Sequence, residues 1–238
     1  MCMSLSNTNC PERGFLTIHK SNCNRNMCAC NLKILKTSKI KYLGIFFDPY
    51  LKWNHHIEYV VNKIRKMFYK FYLLRAWLPR RSLLGIYRAL VESVLSYGIV
   101  VWGRTTQTVS QPLLIAQKKI LKILMFKDML FPTVSLFEEA RVLNITQLYI
   151  KNVVRFLLCG KFSLQFNQNL MNTRTQTTKK AVIPVFSFTA TQRSLLFLAP
   201  KIFNLLPSKL RDKPYKRVKN AITEWLLEGN VNINIDWF

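Results

Sequence analysis

The chain is short of acid. Eleven Asp and Glu stand against 36 Lys and Arg in 238 residues, a formal net charge of +25. No carboxylate lies between Glu58 and Glu92, or between Glu139 and Asp212, so both spans are wholly basic. Two adjacent aspartates occur nowhere, and Glu138-Glu139 is the only adjacent acidic pair. Chemistry that holds two Mg²⁺ ions on clustered carboxylates therefore has no evident seat. There is also no phosphate-binding Walker loop, no Gly-x-Ser-x-Gly elbow and no His-Glu-x-x-His helix, which removes the commoner hydrolase and nucleotide-binding chemistries. No span of about 20 residues is both apolar and uncharged, because Arg88 and Glu92 interrupt the best candidate; no transmembrane segment is expected. Met1 to Cys10 is polar and lacks the apolar centre of a secretory signal. An intracellular setting is therefore expected, nuclear or cytoplasmic, with the six cysteines as reduced thiols. Cys10, Cys23, Cys28 and Cys30 cluster near the start, but Cys28-x-Cys30 is too close for a finger or knuckle and His19 is placed for neither. No metal site is expected there.

What is abundant is positive charge and apolar residues. Half of the chain is apolar, enough for one good core or two small ones. The excess of Lys and Arg points to polyphosphate, since each neutralised phosphate releases counterions and adds affinity without reading sequence. An anionic membrane surface is the competing partner.

The stretch from Lys41 to Gly103 orders the rest. Two apolar pieces, Leu32 to Leu35 and Ile40 to Phe47, flank Lys36-Thr37-Ser38-Lys39 and read as a hairpin, closed by Asp48-Pro49. Gly44 within the second piece leaves room for close approach of a backbone or a nucleic acid, or marks a bulge in an edge strand. A helix is expected at about 53–76, with Trp53, Ile57, Val60, Ile64, Met67 or Phe68, Phe71 and Leu74 on its apolar face and Lys63, Lys66 and Lys70 on the other. A second follows Leu78-Pro79 over about 80–97, with Leu83, Ile86 or Tyr87, Leu90 and Val94 inward. A third, about 111–126, faces Leu113, Ala116, Ile120 and Ile123 or Leu124 inward and carries Lys118, Lys119 and Lys122. Three amphipathic helices with short connections suggest a small bundle. Val134 to Leu143 and Thr146 to Leu158 read as further helices with Thr133 and Thr146 as N-caps. A strand-like run at Val182 to Phe188 and a last helix at about 215–228, with Val218, Ile222 and Trp225 inward, complete the pattern. Trp53 begins an apolar face and is expected in the core. Tyr97 and Trp102 stay open between core and base stacking. His55-His56 has no partner at ligand spacing, so backbone capping or a phosphate contact is expected of the pair.

The order Tyr42-Leu43-Gly44, Asp48, Leu51, Trp53, His56-Ile57, Leu78-Pro79, Tyr87, Ala89-Leu90-Val91, Tyr97-Gly98 and Trp102-Gly103 resembles the segment just after the palm in non-LTR (LINE-type, jockey-like) retrotransposon reverse transcriptases. Arg193-Ser194, Pro200-Lys201-Ile202-Phe203-Asn204-Leu205-Leu206-Pro207 and Leu210-Arg211 are similar to a region near the C-terminus of the same polyproteins. The resemblance implies a mostly α fold with a small N-terminal β-hairpin, a thumb-like three-helix bundle and further C-terminal helices. In that scheme 1–31 is a poorly ordered lead, 32–52 a primer-grip-like hairpin, 53–126 the thumb, 132–159 a helical connection, 160–180 a linker and 181–238 a small C-terminal region. It implies that Tyr42, Leu43 and Gly44 belong to the primer grip. Lys63, Lys66, Lys70, Lys118, Lys119 and Lys122 would meet the phosphates of an RNA–DNA hybrid or other duplex, giving register without base preference. The family's paired palm aspartates are missing, and only forty residues precede Lys41. The chain is therefore expected to be a reverse-transcriptase fragment, inactive alone, with no cofactor of its own. Mg²⁺ would belong to the absent palm, on a separate fingers–palm polypeptide. The alternative is a nonenzymatic basic protein that binds nucleic acid or an anionic surface, or a nonfunctional relic of a mobile element.

Overall fold

The computed structural model describes residues 15–18, 32–35, 37–166, 180–211 and 213–228. The N-terminal cysteines, His19 and most of the polar stretch expected as a linker lie outside them. The fold is mostly helical with small antiparallel strand pairs. It divides into two compact units, 1–59 and 60–238, and the division falls inside the first helix.

In the first unit β1 (Phe15–Ile18) pairs with β2 (Leu32–Leu35), and β3 (Ile40–Tyr42) pairs with β4 (Ile45–Phe47). This corrects the expected pairing. The run Ile40 to Phe47 is not one strand but a hairpin in itself, folded at Leu43-Gly44, while Leu32 to Leu35 pairs upstream. The chain turns there because both central residues take positive φ, 47° at Leu43 and 81° at Gly44, as a tight turn matched to strand twist requires. After β4 the buried Asp48 carboxylate gathers the next loop. Its Oδ1 accepts from the Tyr50 and Lys52 amides at 3.2 and 2.9 Å, and its Oδ2 from the Trp53 amide at 2.7 Å. Those bonds hold Leu51 and Trp53 in left-handed backbone (φ 51° and 67°) and set the start of α1 (Asn54–Arg65).

The second unit begins within α1. Val60, Val61 and Ile64 are buried, with Asn62, Lys63 and Arg65 outward. The single helix expected over 53–76 is broken at Lys66-Met67, where the Met67 amide bonds back to Ile64 rather than four residues back. α2 (Phe68–Leu74) follows, burying Phe71. α3 (Arg80–Tyr87) runs into a π-helical turn at Arg88–Glu92 and then α4 (Ser93–Ser96). The expected register fails beyond Tyr87. Leu90 is 46% exposed and Val94 only half-buried, whereas Val91 and Leu95 are fully buried. A π-turn accommodates one extra residue, so the inward series becomes Leu83, Tyr87, Val91, Leu95, at steps of four throughout. α5 (Ile99–Trp102) and the long α6 (Gln107–Leu124) come next. α6 buries Leu113, Ala116, Gln117, Ile120, Leu121 and Leu124, and packs on α2, α3 and α7 (Thr133–Ala140).

Neither threonine is an N-cap. Thr133 is the first residue of α7, with Pro132 before it, and α8 (Ile145–Leu158) is capped by Asn144. The Asn144 side chain accepts from the Gln147 amide and the Gln147 side chain accepts from the Asn144 amide, both at 2.9 Å, a reciprocal capping box. α8 is apolar nearly all round and packs against α4, α5, α10 (Leu195–Leu205) and α12 (Tyr215–Leu227). Between them lie the short α9 (Thr189–Gln192) and α11 (Ser208–Arg211). Val182 to Phe188 forms no strand; an isolated bridge joins Ala181 to Phe166. α12 appears where expected, with Val218, Ile222 and Leu226 buried and Trp225 half-buried.

The π-turn register makes a direct prediction. Leu95→Ala should destabilise the protein by about 2–5 kcal/mol, as buried leucines do, whereas Leu90→Ala should cost about 1 kcal/mol or less. Denaturant titration of both variants checks it; equal losses would restore an uninterrupted helix.

Candidate nucleic-acid interface

The tip of the β3–β4 hairpin is presented outward. Tyr42 and Leu43 are exposed and Gly44 half-exposed. Beneath the tip, Lys41 lies over the rings of Phe46 and Tyr59, 5.5 and 5.2 Å from their centroids, and those rings meet edge to face at 5.2 Å. Phe47 and Trp53 form a second edge-to-face pair at 5.5 Å. The hairpin is thus tied to the first turns of α1 by aromatic contacts. The two adjacent histidines part company. His55 is exposed. His56 is buried, and its Nδ1 accepts from the Phe46 amide at 3.4 Å. Burial pushes the imidazole down to about 4, so at neutral pH it is the uncharged acceptor of a strand amide. For His56 this is backbone capping, one of the two roles expected of the pair.

The six lysines singled out from the sequence are not equivalent. Lys63, Lys66 and Lys70 are exposed along α1, the break and α2, and take part in none of the ion pairs among the described residues. Lys119 is exposed on α6, with its ammonium 5.1 Å from the Phe68 ring of α2, so it borders the same helix from the other side. Lys118 is half-buried. Lys122 is half-buried too and donates to the Met129 carbonyl, which makes it a tether for the loop after α6 rather than an open cation.

The residues that carry the family resemblance mostly build the fold. Trp102 is in the core, and its indole Nε1 donates to the Tyr97 carbonyl at 2.9 Å. Gly98 takes φ 62° between α4 and α5. A Cβ on Gly103 would stand 2.4 Å from the Ile99 carbonyl and 2.7 Å from the Tyr149 ring, so the tight end of α5 and the ring of α8 beside it together leave no room for a side chain. Trp53 is buried as expected, and Tyr97 is half-exposed. In the downstream segment Asn204 both donates to and accepts from the Ala181 backbone, at 3.0 and 2.8 Å. Arg211 caps the end of α10 through the carbonyls of Leu206 and Asn204, at 2.7 and 2.8 Å. Gln117 went unremarked in the sequence. It is fully buried and donates from Nε2 to the Tyr87 hydroxyl and to the Leu143 carbonyl, each at 2.9 Å. A polar residue at an inward position of α6 was the available signal.

Among the described residues the carboxylates do not converge. Glu139 is held by Arg80 at 3.3 Å and Lys127 at 3.0 Å, and Glu92 by Lys151 at 3.7 Å. Among the described residues no group of three His, Cys, Asp or Glu could hold a metal ion. The described residues therefore offer no seat for a two-Mg²⁺ centre. Among the same residues no helix is long and apolar enough to cross a membrane. Comparison with models of protein families, with curated proteins and with solved structures found no match.

The buried His56 makes stability depend on pH. Folded, it titrates near 4; unfolded, it has the ordinary value of 6.5. Above 6.5 both states are neutral and stability is complete. Between 6.5 and about 4 the unfolded chain binds the extra proton, so stability falls with falling pH. The melting temperature should drop between pH 7 and pH 5, and His56→Gln should flatten that drop. A variant whose pH profile parallels the wild type would refute the assignment.

Proposed function

We propose that the chain is the primer-grip and thumb portion of a reverse transcriptase of non-LTR retrotransposon type, and that it binds an RNA–DNA hybrid or similar duplex through its phosphates. One observation carries the reading. Lys63, Lys66 and Lys70 stand exposed on α1, the break after it and α2, outside every ion pair among the described residues, in a span with no carboxylate from residue 59 to 91. Such a row positions a protein on a backbone without reading bases. Lys119, over the Phe68 ring of α2, adds an exposed cation on α6. The motif order supports the family, and the hairpin tip at Tyr42-Leu43-Gly44 stands open for the primer end. Polymerisation would require a carboxylate cluster that the described residues do not supply, and that cluster would hold the Mg²⁺. The second reading is diffuse binding of any polyanion, favoured by the charge of +25.

Changing Lys63, Lys66 and Lys70 together to glutamate should weaken binding to an RNA–DNA hybrid by about tenfold or more, similarly for unrelated sequences. The salt dependence should flatten by roughly one unit of slope for each phosphate that the variant no longer neutralises. The same charge reversal at the exposed Lys209, Lys216 and Lys219 is the control for net charge. A clearly smaller effect there supports the thumb; equal weakening favours the diffuse field and ends the thumb assignment. Circular dichroism should be unchanged in both.

With Mg²⁺ or Mn²⁺ present, the purified chain should extend no primer, because no carboxylate cluster among the described residues could hold the metals. Template-directed extension by protein freed of contaminating polymerases would overturn this.

A further inference from the structure

α2 and the segment after it expose a row of rings that the duplex reading leaves unused. Tyr69 is 70% exposed, Tyr72 53% and Trp77 86%. Tyr69 and Tyr72 lie three residues apart on exposed positions of α2, whose buried residue is Phe71, and Trp77 is exposed in the turn just after the helix. Arg75 joins this row to the end of α6. Its guanidinium lies 4.1 Å from the centroid of Tyr72 and 5.2 Å from that of Phe126, between two exposed rings. Phe126 takes left-handed backbone (φ 53°) just past α6 and is 63% exposed. Lys66 and Lys70 flank the tyrosines. Two carboxylates lie toward this end. Glu139 is already neutralised by Arg80 and Lys127, and Asp128 is exposed in the loop beyond Phe126.

We infer that this aromatic row binds single-stranded nucleic acid, its bases stacking on Tyr69, Tyr72, Trp77 and Phe126 while Arg75, Lys66 and Lys70 meet the phosphates. The inference deepens the proposed function and rests on it: the unpaired strand would be the overhang of the duplex that the lysine row holds. Charge and chemistry select this occupant. Rings alone would suit an apolar protein segment, and cations alone would suit any anion. Alternation of the two matches a polymer that alternates flat bases with phosphates. The rings have no core to serve, since their helix already buries Phe71 on its other side.

Fluorescence anisotropy of the full chain with three probes tests it: a labelled oligothymidylate, a blunt RNA–DNA hybrid, and vesicles of mixed anionic and neutral phospholipid. The triple change Tyr69→Ala, Tyr72→Ala, Trp77→Ala should weaken oligothymidylate binding by about tenfold or more, since each ring removed takes away a stacking surface whose attraction salt does not screen. Its salt slope should match the wild type, and hybrid binding should stay within about twofold. The phenylalanine triple should retain single-strand binding, and Trp77→Ala alone should lose part of it, so a misfolded alanine triple would not decide the outcome. If oligothymidylate binding survives both alanine variants while the wild type holds the hybrid, the inference is wrong and the proposed function stands. If the wild type binds neither probe, both are wrong. Loss of vesicle binding alone in the alanine triple would assign the row to a lipid surface and overturn the inference.

Discussion

The larger unit depends on one buried amide. Gln117 sits midway along α6 and donates one proton to the Tyr87 hydroxyl of α3 and the other to the Leu143 carbonyl just before α8. These are segments 30 and 26 residues away in sequence. An unsatisfied amide donor at that depth would cost about 1–3 kcal/mol, so the two Nε2 bonds favour one arrangement of the three segments over slipped ones of similar apolar area. Tyr87, whose hydroxyl burial drives well above its ordinary range, is thereby kept neutral and serves as an acceptor. The same residue is the last inward position before the π-turn, so the register of everything from Val91 to Leu95 is counted from it.

Around that tie the chain separates its two abundant residue classes. Apolar side chains of α6 and α8 fill the interior, and the surplus of cations is left outside with few carboxylates to meet it. The aromatic residues divide in a similar way. Trp53, Phe71, Tyr87 and Trp102 are core, while Tyr69, Tyr72, Trp77 and Phe126 stand in solvent beside Lys and Arg. Such rings are costly to leave exposed, and in a chain this basic a nucleic acid would complement both ring and charge.

The sequence motifs acquire a different meaning in three dimensions. Asp48, Gly98, Trp102, Gly103, Asn204 and Arg211 all serve backbone geometry: a carboxylate holding a loop, a left-handed link, an indole tether, a close helix approach, an amide clamp and a helix-end cap. None of these roles involves a ligand. The motifs quoted from the sequence are therefore carried largely by residues that make the fold, and the proposed binding would rest instead on the surface cations.

Periodicity was enough to find most of the longer helices, because burying one face of a helix forces apolar residues to recur every three or four positions, but it missed α10 and the break between α1 and α2. It placed α6 and α12 closely, and the inward set Ile57, Ile64, Phe71 and Ile120. Local sequence could not reveal the turn at Leu43-Gly44. Leucine rarely adopts positive φ, and the run from Ile40 to Phe47 has the composition of a single strand. Nor could it reveal the π-turn, where Leu90 and Val91 are equally apolar and only the fixed position of Tyr87 against Gln117 decides which one faces inward. Composition and spacing by themselves determined a mostly helical, strongly basic chain with lysines on helix faces. Tertiary packing decided the hairpin, the helix register and which lysines stay open. The helix register depends on long-range partners such as the Tyr87 hydroxyl and the Leu143 carbonyl that Gln117 reaches, 30 and 26 residues away, and no short window of sequence contains both members of such a pair.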